Sequence, residues 1–104
     1  MQKGVLSIAA QLKAARAITG WNQGELSGRS GVSRPTIARI EALIMRPRTD
    51  TVDKLKQAFL IAGIQILDGE PRGGFSIIVD ESGLAALVQR NDSDAAEDES
   101  GDAV

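Results

Sequence analysis

The residues of this chain best suited to chemistry gather in one short stretch, GVSRPTIARIE at 31–41. It holds two guanidinium groups, Arg34 and Arg39, two hydroxyls, Ser33 and Thr36, and one carboxylate, Glu41. Arg46 and Arg48 follow in the loop RPR. Planar cationic forks and hydroxyl donors suit the grip of an anionic, hydrogen-bonding surface, and they form no nucleophile–base pair. The chain has no His, Cys or Tyr. Triads with a histidine base, histidine or thiolate zinc sites and disulfides are therefore excluded. GEPRGG at 69–74 lacks the Lys-Ser/Thr ending of a phosphate loop. NDSDAAEDESGD at 91–102 lacks the glycine and terminal Glu spacing of a calcium loop. The expectation is a binding protein, not an enzyme, with no cofactor and no metal.

Charge points the same way. The overall net charge is −2, but it averages two unlike parts. Residues 1–79 carry 11 Lys and Arg against 6 Asp and Glu, a charge of +5. Residues 80–104 carry one Arg, Arg90, against 8 acids, a charge of −7. A basic body joined to an acidic stretch is an asymmetry met in nucleic-acid binders, although either part can also be a solvated surface. No apolar run nears the ~20 residues that span a bilayer, and the first residues show no signal-peptide pattern. A cytoplasmic location is expected.

The elements that must position these groups read as helices. Ile8, Leu12 and Ala15 share a face from Val5 to Thr19, and Gly20 stops that helix. Asn22 can cap a short helix from Gln23, with Leu26 as its core anchor and Gly24 and Gly28 weakening it. Gly31 then breaks the chain. Ser33 can cap the next helix, with Arg34 first and Pro35 second, where proline's missing N–H has no intrahelical partner to lose. Ile37, Ile40 and Ile44 fall on one side and form its expected buried face. Pro35, Ala38, Arg39 and Ala42 point the other way, with Arg34 on the flank. A fourth helix is expected from about Thr51 to Ala62 on Val52, Leu55 and Phe59, ended by Gly63. IQIL at 64–67 and FSIIV at 75–79 read as a β-hairpin around a turn-rich DGEPRGG. Ser82 can cap a short helix, GLAALVQR. Residues 91–104 have a disordered composition.

Two short helices about a glycine turn, the second basic outside and apolar inside, describe a helix-turn-helix. Residues 12–63 resemble the Cro/phage-repressor-like (XRE) helix-turn-helix family, through WNQGELSGRSGVSRPTIARIE and the RPR loop. Gln23, Glu25, Leu26, Gly31, Val32, Ser33, Ile37, Ile40 and Glu41 stand where that family has its usual residues. The resemblance implies a mainly α fold: a four- to five-helix lambda-repressor-like bundle, here with a small β-hairpin or strand extension. It implies a phosphate contact at Gln23 and a recognition helix starting at Ser33, Arg34, Pro35 and Thr36. Arg39 matches an outward position that reads a base edge. Arg34 and Arg39 are the candidates for sequence readout; Ser33, Thr36, Arg46 and Arg48 are the candidates for phosphate contact. Arg16 and Glu41 match a structural pair joining the first helix to the end of the recognition helix.

One departure stands out. The family usually has a glycine in the turn after Glu41, and here Ala42-Leu43-Ile44-Met45 continues apolar. Either the helix runs longer with more core packing, or Leu43 and Met45 are exposed for a dimer contact. The expected organisation is a DNA-binding domain at 1–63, a hairpin and short helix at 64–90 suited to dimerisation, and an acidic tail at 91–104. The expected function is sequence-specific binding of double-stranded DNA at a palindromic operator by a homodimeric transcriptional regulator, a repressor. The alternatives are an antitoxin that binds both an operator and a toxin, and a protein-interaction module.

Overall fold

A computed structural model describes residues 3–86. The acidic tail expected at 91–104 lies outside the described residues, as does the latter part of the expected helix 83–90. The elements are α1 (Lys3–Thr19), α2 (Gln23–Ser30), α3 (Arg34–Glu41), α4 (Thr49–Ile61), β1 (Ile64–Asp68) and β2 (Phe75–Val79). A further helix, α5, is described over 81–86. The protein is mainly helical, with one small two-stranded antiparallel sheet, as in a lambda-repressor-like bundle.

Local chemistry sets the boundaries. α1 stops at Gly20, which takes a left-handed φ of 77° and donates its N–H to the Arg16 carbonyl. α2 starts in a reciprocal capping box. Asn22 Oδ1 accepts the Glu25 N–H at 2.7 Å, and Glu25 Oε1 accepts the Asn22 N–H at 3.0 Å. Two otherwise unpaired backbone donors are thereby satisfied. This cap offsets the weakness that Gly24 and Gly28 bring to a helix of only eight residues.

α1, α2, α3 and α4 close around a core of Leu12, Ala15, Trp21, Leu26, Val32, Ile37, Ile40, Leu55, Ala58 and Phe59. Trp21 stacks on Phe59 with ring centroids 5.3 Å apart. Ile64 and Ile66 of β1 join the same core, and Ile77 and Val79 of β2 pack against it. The register Ile64↔Val79 and Ile66↔Ile77 places these four side chains on one face of the sheet. A hairpin that would be marginal alone is thus held by helices. Asp68 fastens its far end: it accepts from buried Gln11 on α1 and pairs with Lys56 on α4.

Two expectations are corrected here. Ile44 is not on the buried face of α3; it is 74 % exposed. α3 ends at Glu41, and Leu43 adopts a left-handed φ of 63°. The Leu43 N–H then donates to the Ile40 carbonyl at 3.1 Å and the Ile44 N–H to the Arg39 carbonyl at 3.0 Å. This is a Schellman ending with leucine where glycine is the usual residue. The apolar run therefore does not lengthen the helix: Leu43 is half-buried, Met45 packs on the core and Ile44 faces outward. The second correction concerns α5. Its cap is Asp80, not Ser82. Asp80 Oδ1 accepts the Gly83 N–H at 2.9 Å and the Ser82 hydroxyl at 2.8 Å. Gly63 and Gly83 approach so closely that a Cβ on Gly63 would lie 2.4 Å from the Gly83 nitrogen. Both positions need glycine for that contact.

Candidate nucleic-acid interface

α3 begins where its sequence says it should. Ser33 is extended at φ −63°, ψ 148°, and its Oγ accepts the Thr36 N–H at 3.3 Å. The Ser33 hydroxyl donates in turn to Thr36 Oγ1 at 2.8 Å. The Ser33 proton is therefore spent inside the protein, while the Thr36 hydroxyl proton remains for an outside acceptor. Pro35 sits in the first turn without loss of a helical hydrogen bond.

Ile37, Ile40 and Glu41 are buried and turn α3's inner side to the core. Ser33, Arg34, Pro35, Arg39 and Ala42 are exposed, and Thr36 and Ala38 are half-buried. The exposed side thus alternates arginine with small or hydroxyl residues, which allows close approach to a surface. Arg46 and Arg48 are exposed in the following loop. Arg48 Nε lies 3.7 Å from Asp50 Oδ1, with both side chains well exposed, so the pair holds Arg48 only weakly. Between Ser33 and Arg48 the one acid is Glu41, and it is not part of the exposed side.

Glu41 is the hub that orients the site. It is 4 % exposed. Arg16 donates to it twice, Nε to Oε2 at 2.8 Å and Nη2 to Oε1 at 2.7 Å. This two-pronged geometry is the strong form of an arginine–carboxylate pair. Arg16 Nη1 also donates to the Trp21 carbonyl at 3.0 Å. Gln23, the first residue of α2, donates its amide to Glu41 Oε1 at 3.1 Å. One carboxylate at the end of α3 therefore ties α1, the lead into α2 and the start of α2. Burial pushes the Glu41 carboxyl up; hydrogen bonds from Arg16 and Gln23 more than offset this and hold it below its usual value. The bond to Glu41 holds Arg16 above its usual value, against the effect of burial.

The sequence-predicted residues therefore separate into two sets. Ser33, Arg34, Pro35, Thr36 and Arg39 share α3 and its cap, with Arg46 and Arg48 just beyond. Arg16, Gln23 and Glu41 lie together behind them. Sequence reading missed the bond from Gln23 to Glu41. It also missed Arg29, whose guanidinium carbon lies 4.4 Å from the Trp21 ring centroid. The capping-box partner Glu25 did carry a signal, in the spacing N-x-x-E at 22–25. Among the described residues no acidic cluster is placed to hold a metal, and no helix is long and apolar enough to cross a membrane.

A family model described as helix-turn-helix matches residues 12–61, which span the C-terminal part of α1 and all of α2, α3 and α4. No curated protein and no solved structure matches the chain.

Proposed function

Residues 12–61 belong to the Cro/C1-type (XRE) helix-turn-helix family of DNA-binding domains, and from that premise we propose that the protein is a homodimeric repressor that reads a palindromic operator. The observation that carries the reading is the outward side of α3. Arg34 and Arg39 are exposed there, and neither has an acidic partner among the described residues. α3 enters the major groove. Arg34 and Arg39 donate in pairs to the O6 and N7 of guanine and supply specificity. Thr36, Arg46 and Arg48 hold phosphates, Gln23 adds a contact at the start of α2, and Ser33 and Pro35 fix where the helix begins. These contacts give orientation and affinity without sequence information. No catalytic step is assigned to any residue, and the protein acts in the cytoplasm, where it meets its DNA.

Two copies related by a two-fold axis place their α3 helices about 34 Å apart, one turn of the duplex. Residues 64–90 are the proposed dimer element, and Ile78 and Leu84 within it are 48 % and 54 % exposed. A dimer bound across a promoter blocks polymerase, which is the sense in which it represses.

The test is a titration of duplex DNA containing a selected site, read by fluorescence anisotropy over a salt series, with sedimentation of the free protein and the complex. Each neutralised phosphate releases counterions, so log K falls with log salt at a slope of about −0.9 per contact. A steep slope and two chains per duplex are expected. A slope near zero overturns the DNA reading, and one chain per duplex overturns the dimer.

A further inference from the structure

We infer that Gln11 sets the spacing between the two half-sites that the dimer reads, by holding the hairpin at one fixed angle to α3 through α1. This inference rests on the proposed homodimer joined through residues 64–90, and it names the residue that makes its spacing definite. Gln11 acts through other residues, so its role is one of positioning.

Among the described residues two polar side chains are buried, Gln11 at 1 % and Glu41 at 4 % exposure. Each ties α1 to a different element. Gln11 Nε2 donates to Asp68 Oδ1 at the end of β1. Glu41, at the end of α3, accepts twice from Arg16. α1 runs unbroken over Lys3–Thr19, and Gln11 and Arg16 lie about 7.5 Å apart along its axis. The hairpin and the reading helix are thus fastened to one rigid bar.

The rest of the hairpin's seat is apolar. Ile64 and Ile66 lie in the core, and Ile8 of α1 and Ile77 and Val79 of β2 pack against it. Apolar burial is non-directional and tolerates a small rotation of the sheet. A hydrogen bond prefers near-linear geometry and weakens steeply when bent. The Gln11 amide is itself aimed: its Nε2 also donates to Ser7 Oγ at 3.0 Å, one turn back along α1. Both amide protons are then used. The other hold on Asp68, from Lys56 of α4, is more open, with 54 % of the Asp68 side chain exposed, and such pairs fix geometry weakly.

In a two-fold dimer a change of hairpin angle acts twice, once in each chain. One base pair moves a half-site by about 3.4 Å along the duplex and about 35° around it. A fixed hairpin therefore selects one spacing, and a loosened one accepts its neighbours.

The test uses the full chain and duplexes carrying the selected half-site in inverted pairs, at the preferred spacing and at one base pair more and less. Gln11→Met keeps the side chain's length without the donor, and Asp68→Ala breaks the same tie from its exposed end. Lys56→Met is the control. Wild type and Lys56→Met should favour the preferred spacing by about tenfold, the scale of one mismatched base pair, and the two tie variants by less than about threefold. Base preference within each half-site should stay unchanged. Equal spacing preference in all four proteins overturns the inference, as does a base preference that falls together with the spacing preference.

A second readout needs no DNA. The chain has no cysteine, so Ala42→Cys and Gln65→Cys give two thiols for nitroxide labels at the end of α3 and on β1. Labelled chains are diluted into unlabelled protein and the distance is read by pulsed electron resonance. Its distribution should broaden with Gln11→Met and Asp68→Ala and keep its width with Lys56→Met; equal widths overturn the inference. If wild type selects no inverted pair of half-sites, the homodimer reading fails, while the widths still decide whether Gln11 holds the hairpin to α3. The two claims therefore fail separately.

Discussion

Arg16 and Arg39 are the same side chain in opposite circumstances. Arg16 donates to both oxygens of a buried carboxylate and to the Trp21 carbonyl, and its side chain is 22 % exposed. Arg39 is exposed on α3, with no acid against it among the described residues. The first arginine's hydrogen-bonding capacity is largely used within the fold. The second's is available to a partner. Their difference separates a structural arginine from one exposed to a partner more surely than a count of basic residues does, because hydrogen bonds satisfied internally are not available to a surface.

The sharpest way to break the contrast is to remove the acid behind α3. Glu41→Ala removes the carboxylate that accepts from Arg16 Nε and Nη2 and from the Gln23 amide, leaving Arg16 only its bond to the Trp21 carbonyl. It should cost about 2–4 kcal/mol in urea unfolding, since losing one partner of a largely buried pair strands the other. The pH dependence follows with its sign. Glu41 is held below its usual carboxylate value in the fold, so its contribution is full above the unfolded value. That contribution is lost as pH falls through the lower folded value. Glu41→Gln should therefore show a flatter acid limb of stability than wild type between neutral pH and acid. An unchanged limb would show that other carboxylates, such as Asp68, dominate.

Next in size is the effect of Arg39→Ala on site discrimination. It should cost about 1–3 kcal/mol at one base position, measured against duplexes altered there. Its folding stability should move by no more than about 0.5 kcal/mol. An equal loss on every sequence would instead make Arg39 a phosphate contact. Ser33→Ala removes the cap of the helix that carries it and should cost about 1 kcal/mol of stability by denaturant titration. Smallest is Leu43→Gly. Relief of a left-handed leucine is partly cancelled by glycine's greater loss of backbone freedom, for a net gain of about 0.5 kcal/mol. A loss of stability would show that the half-buried Leu43 side chain contributes more than its backbone costs.

The residues of the helix starts were the most legible. Asn22, Ser33 and Pro35 act locally, and side-chain type predicts such caps from a few neighbours. The end of α3 was not legible for the same reason. The usual sign of a left-handed turn is glycine, and leucine occupies it, so the apolar spacing ran on to Ile44 as though the helix continued. Asp80 and Ser82 are both good caps two residues apart, and only the docking of Gly83 on Gly63 decides between them. Gln23 and Glu41 are 18 residues apart, and no local pattern announces their bond. Arg29 over Trp21 is hidden likewise, because the contact depends on how α2 returns across the chain that leads into it.

We propose that α3 reads bases through Arg34 and Arg39, which have no acidic partner among the described residues. This is tested most directly by selecting bound duplexes from a random pool with wild type and Arg39→Ala in parallel. A palindromic motif is expected for wild type, with loss of preference at one symmetric base position in the variant. No enriched motif for wild type, or the same motif at the same strength for both proteins, would contradict it.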